Sequence, residues 1–149
     1  MSQYYEQAGV AMTCRGFEEY RRMFDLTEEL LTAGETLDIA AGASSFTAEG
    51  SARGYRISAV DPRYGNTLDN LISEASQEIE ASTAKLETLQ SRFDWSYYGD
   101  LTKHRQGRMH SLCLFEQHRR QEGLTSTYYE GSLAHRAFLL YLDHQVYYR

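Results

Sequence analysis

The segment Thr36-Leu37-Asp38-Ile39-Ala40-Ala41-Gly42-Ala43-Ser44-Ser45 constrains this chain more than any other. A short apolar run with one acid inside it, bounded by Gly34 and Gly42, suits a buried parallel strand better than a helix. The small residues that follow predict a tight turn, in which backbone can approach a ligand closely. Ser44 or Ser45 then caps a helix that runs through Phe46 and Ala48 toward Ala52 and ends at Gly54. Arg56-Ile57-Ser58-Ala59-Val60 reads as a second strand and stops at Asp61-Pro62. Strand, helix and strand within so short a stretch predict a right-handed crossover and an α/β fold.

The turn and the acid belong together chemically. Backbone N–H groups at the start of the helix can face a polar or anionic group. An acid at the tip of the next strand can accept two hydrogen bonds from ribose hydroxyls. Asp61 lies 19 residues after Gly42, near the spacing of about 20 for such a ribose partner. A nicotinamide dinucleotide is disfavoured, because only Gly42 of the Gly-x-Gly-x-x-Gly fingerprint is present.

Asp38-Ile39-Ala40-Ala41-Gly42-Ala43-Ser44 resembles the first motif of class I S-adenosylmethionine-dependent methyltransferases, and Asp61 matches the acid that ends their second strand. The resemblance implies a three-layer Rossmann-like sheet with flanking helices. It also implies S-adenosylmethionine as cofactor and methyl transfer to a small-molecule acceptor. Ala40, Gly42 and Ser44 would then line the methionine part of the cofactor, Asp38 would lie near its amino group, and Asp61 would hold the ribose. Tyr128-Tyr129-Glu130-Gly131-Ser132-Leu133 resembles the family's third strand, and Ser132 stands where an acid often meets the adenine. Tyr4-Tyr5, Met12-Thr13-Cys14-Arg15 and Phe17-Glu18-Glu19-Tyr20 are similar to the lead-in segment of small bacterial members. That similarity makes Tyr5, Arg15 and Tyr20 candidates for covering the cofactor; the alternative is a helix packed on the sheet.

The chain departs from the family where Ala40 and Ser44 replace turn glycines, and in strand number. About three strands can be read where the family has seven, and Gly131-Ser132-Leu133 runs directly into the apolar segment from Ala134. A shortened relative, a fragment and an internal deletion all give this pattern.

The rest reads as one domain, 1–149, with a helical lead-in over 1–33 and a core over 34–149 that carries a helical insert over 67–122. Thr13 is a candidate cap for a helix near Arg15, with a break near Asp25 to Thr27 and an end at Gly34. Leu68, Leu71, Ile72, Ala75, Ile79, Leu86 and Leu89 form the sparse stripe of a long exposed helix. A further helix runs from Leu101 or Lys103 to Gln121, with Met109, Leu112, Leu114, Phe115 and His118 inward. Thr125 to Glu130 is a candidate third strand, and Ala134 to Arg149 leans to helix. Trp95, Tyr97 and Tyr98 suit either a substrate-facing wall or an anchor for the long helix.

A net charge of −6 argues against nucleic acid as partner. The clusters Arg21-Arg22 and His118-Arg119-Arg120 read as solvated surface. Cys14 and Cys113 match no metal or redox spacing and read as reduced thiols of a cytoplasmic protein. No long apolar run suggests a membrane span. His104, His110, His118, His135 and His144 show no zinc-site spacing, so no metal is expected, while His135 or His144 could serve as a general base. A competing reading is a non-catalytic interaction protein, in which an open sheet is completed by self-association as a homo-oligomer.

Overall fold

The computed structural model describes residues 12–122 and 127–131. The lead-in forms two short helices, α1 (Phe17–Met23) and α2 (Glu28–Ala33). They are separated at Asp25, whose φ of 49° reverses the chain, and Thr27 caps α2 by accepting the Leu30 amide. The expected cap at Thr13 is not used. Gly16 occupies the N-cap of α1, and the Phe17 amide donates instead to the Glu49 carboxylate at 2.8 Å. Thr13 accepts from the Arg15 guanidinium.

The core follows as β1 (Thr36–Ile39), α3 (Phe46–Ala52) and β2 (Ile57–Val60), with β1 and β2 parallel and Asp38 opposite Ala59. Beyond β2, Thr67 caps α4 (Leu68–Glu87), which antiparallel packing pairs with α5 (Leu101–Glu122). The chain then returns to the sheet at β3 (Tyr128–Tyr129), parallel to β2. The result is a three-stranded parallel sheet of order β1-β2-β3, flanked by helices. β3 is shorter than the expected Thr125–Glu130 strand within the described residues.

Two apolar clusters hold the elements together. Phe17, Leu31, Phe46 and Ile57 join the lead-in to α3 and β2, with the Phe17 and Phe46 rings stacked at 5.4 Å. Ala41, Ala43, Ala59, Tyr64, Leu71, Ala75, Ile79, Leu112, Phe115 and Tyr128 join the turn and sheet to the α4–α5 hairpin. Ile57 and Ala59 share one face of β2 by strand alternation, so that face supports both clusters. Close approach there depends on Gly50: a Cβ at this position would lie 2.1 Å from Ile57 Cδ1.

Three expectations are corrected. β1 is half-buried rather than fully buried, because β2 is its only strand neighbour among the described residues. The long helix α4 is not simply exposed, since Leu71, Ala75 and Ile79 are buried against the core. Arg119 is not solvated surface: it is 6% exposed, with its guanidinium 5.2 Å from the Tyr128 ring centroid and 5.5 Å from that of Tyr64. Cation–π contact compensates for part of its lost hydration. No helix of the described residues is long and apolar enough to cross a membrane.

Candidate functional site at the strand tips

The turn after β1 is left-handed twice, at Ala40 (φ 57°) and at Gly42 (φ 53°). Glycine adopts this conformation freely, whereas alanine pays a steric cost of about 1 kcal/mol or more. Position 40 thus takes a backbone conformation that favours glycine and yet carries alanine. Gly42 also lies under Met12: a Cβ at Gly42 would be 2.8 Å from Met12 Cγ. The lead-in thus reaches across the turn, and the Met12 amide donates to the Glu78 carboxylate of α4.

Asp61 closes the turn from the tip of β2. Its Oδ2 accepts the Gly42 amide at 2.9 Å and its Oδ1 accepts the Arg63 amide at 2.8 Å. The Tyr64 hydroxyl donates to the Gly42 carbonyl at 2.8 Å, so both backbone groups of Gly42 are tied to the segment after β2. Burial and the nearby acids Asp38 and Asp61 push the Tyr64 phenol well above its ordinary range, which keeps it a neutral donor.

Asp38 is the unsatisfied member. Its Oδ2 is shut off from solvent and has no hydrogen-bond partner among the described residues. Burial, and then the charge of Asp61, raise its carboxyl to about 7, while the neighbouring Tyr20 hydroxyl pulls the other way. Tyr20 itself is pushed up to about 12, first by burial and then by Asp38. Two carboxyls and a phenol therefore share one partly dry corner at the turn.

The other expected residues divide cleanly. Ser44 donates to the Arg15 carbonyl at 2.9 Å and accepts the Phe46 amide at 3.1 Å, so it locks the lead-in to the start of α3. Arg15 reaches the turn through its backbone, its carbonyl also accepting the Ser45 amide. Its side chain turns to Thr13 and Glu19. Asp38, Ala40, Gly42, Ser44, Asp61, Arg15 and Tyr20 are thus brought to one end of the sheet. Tyr5 and Ser132 lie outside the described residues, as do His135, His144 and the expected C-terminal helix. Among the described residues no group of three or more His, Cys, Asp or Glu could hold a metal ion. His118 Nδ1 instead meets the Tyr128 hydroxyl at 2.7 Å.

A second constellation, not foreseen from the sequence, lies between α1 and α5. A cleft of about 230 Å³ opens there, lined by none of the strand-tip residues Asp38, Gly42, Ser44 and Asp61. At its wall Glu19 accepts from both ends of the Arg108 guanidinium and from the Tyr98 hydroxyl. Burial alone would raise the Glu19 carboxyl, yet hydrogen bonds from Arg108 and Tyr98 hold it below its ordinary value. Burial, and then Arg108, lower His104. The partners are 89 residues apart in sequence, so no local spacing signals them.

Comparison with known proteins adds one relative. The chain is 34% identical over 85 residues to the uncharacterized protein MJ0045 of Methanocaldococcus jannaschii, a match covering 56% of this chain and 38% of that protein. The chain therefore spans well under half of that relative's length. No protein-family model matches the chain. No solved structure matches it.

Proposed function

We propose that this chain carries the S-adenosylmethionine site of a Rossmann-like class I methyltransferase, at the tips of β1 and β2. The observation that carries the reading is Asp38, a carboxyl with an orphaned, solvent-excluded oxygen beside a left-handed glycine turn. A buried carboxylate oxygen without a donor is costly, and a cationic N–H donor would satisfy it. The cofactor's amino group is such a donor. Asp61 supports the same reading, because each of its oxygens uses one lone pair on a backbone amide and keeps acceptor capacity for a ribose hydroxyl. The strand order β1-β2-β3, all parallel, is that of half a doubly wound sheet, whose ligands sit outside the carboxyl ends of the strands.

When bound, the cofactor supplies an activated methyl group on a cationic sulfur. The chain's part would be to orient it: Asp38 would hold the amino end, Asp61 would hold the sugar, and Met12, packed over Gly42, would exclude water together with Tyr20. Transfer to a small acceptor then needs chiefly alignment. Hydrogen exchange tests this directly. S-adenosylhomocysteine should slow the amides of residues 40–46 severalfold, with no such change from ATP. Unchanged exchange at saturating concentration would remove the reading.

A second reading is a non-catalytic interaction protein. It is favoured by the free edge of β1 among the described residues and by exposed Met23, Phe24 and Leu30 on the lead-in helices. Sedimentation equilibrium separates the two, because self-association with no cofactor response fits only this one.

A further inference from the structure

We propose that the cleft between α1 and α5 is a binding site for a small hydroxylated monocyclic aromatic compound, beside the strand-tip turn and sharing none of its residues. The walls argue for a ring. Tyr97 and Tyr98 line the cleft together with His104, Gly107 and Ser111, and aromatic surfaces take a ring edge-to-face or offset. At about 230 Å³ the space is below the roughly 300–1,000 Å³ of larger ligand sites, so it admits one ring and not a nucleotide.

Gly107 lines the cleft with no side chain of its own. It lies inside the 22-residue helix α5, where glycine is about 1 kcal/mol less favourable than alanine. Packing does not require it, since a Cβ there would meet nothing within 4 Å. A larger side chain would project into the cleft.

The polar groups select the ligand's chemistry. Arg108 is committed to Glu19 and Tyr98, and Glu18 and Glu49 add negative charge to the lining, so an anion is disfavoured. His104 is not committed: its Nδ1 is buried without a partner among the described residues, and its ring is set edge-on against Tyr98 at 4.7 Å. The other ring nitrogen, Nε2, is not shut off in this way, and a ligand hydroxyl, which both donates and accepts, satisfies it in either tautomer.

The test is an NMR titration of the full chain with phenol, benzoate and toluene, following the His104 imidazole and the Tyr98 and Ser111 amides. Phenol should shift these signals saturably, and benzoate at least tenfold more weakly. Gly107→Leu should abolish the phenol response while its melting temperature stays equal or rises. His104→Leu keeps the cleft and removes the nitrogens, so it should weaken phenol severalfold and leave toluene unchanged. Phenol without saturation, phenol binding undiminished in Gly107→Leu, equal benzoate binding, or no change in His104→Leu would each overturn the assignment.

Discussion

The carboxylate of Asp61 holds the amide of Gly42 at 2.9 Å, from the tip of one strand to the turn beyond its neighbour. The same carboxylate accepts the Arg63 amide with its other oxygen. Both oxygens thus face N–H donors, and an asparagine could accept from only one while pointing its NH2 at the other. Asp61→Asn is expected to destabilise the chain by about 2–3 kcal/mol, the cost of an unmet buried donor near a lost charged bond. Urea denaturation measures it; a change below about 0.5 kcal/mol would mean the turn is held by other contacts.

Asp38 should leave a signature in the pH dependence of stability. Its folded value of about 7 exceeds the ordinary 3.8, so the folded state binds the extra proton between these limits. Its contribution is fully present below about 3.8 and is lost as pH rises through about 7. The slope is at most about 1.4 kcal/mol per pH unit. Unfolding free energies of the wild type and Asp38→Asn should converge with that sign from pH 7 to pH 4, the wild type gaining relative to the variant as pH falls. Parallel curves would show that the carboxyl titrates normally.

Gly50 offers a test in which two principles oppose each other. Alanine is the better helix former by about 1 kcal/mol, but here its Cβ would enter Ile57 Cδ1. Overpacking of this kind costs about 1–3 kcal/mol, so Gly50→Ala should be destabilising in the wild type. Ile57→Val removes the clashing methyl, and the cost of Gly50→Ala measured in that background should fall by at least about 1 kcal/mol. Additive effects would place the strain elsewhere.

The Glu19–Arg108 pair is mostly buried, with side-chain exposures of 13% and 10%. Glu19→Gln leaves the guanidinium without its charge partner and should cost about 3–5 kcal/mol, while Glu19→Leu with Arg108→Met should recover most of that. Because Glu19 is held below its ordinary value, its contribution is present above that value and is lost as pH falls through the lowered one. Thermal melts of the three proteins from pH 3 to pH 7 check both statements.

Much of the strand-tip geometry was legible in residues 36–61. Small residues, a single glycine and an acid at a strand end all act locally, so β1, α3, β2 and the convergence of Gly42 and Asp61 followed from order and spacing, while Asp38 entered through the family resemblance. The same holds for the break at Asp25. What stayed hidden was long-range pairing of charge. Glu49 capping α1, Arg119 between two tyrosines and Glu19 with Arg108 join elements distant in sequence, where each charge by itself reads as solvated. Met12 over Gly42 was hidden for a related reason, since a lone methionine in a polar lead-in carries no periodicity.

The central claim is tested most directly by calorimetric titration of S-adenosylmethionine into the purified chain at pH 8, with Asp38→Asn alongside. The account predicts micromolar binding, about −8 kcal/mol, weakened at least tenfold by the substitution and also weakened in the wild type at pH 6, where the Asp38 carboxyl takes up its proton. A folded sample that gives no binding heat, or binding indifferent to Asp38, would contradict it.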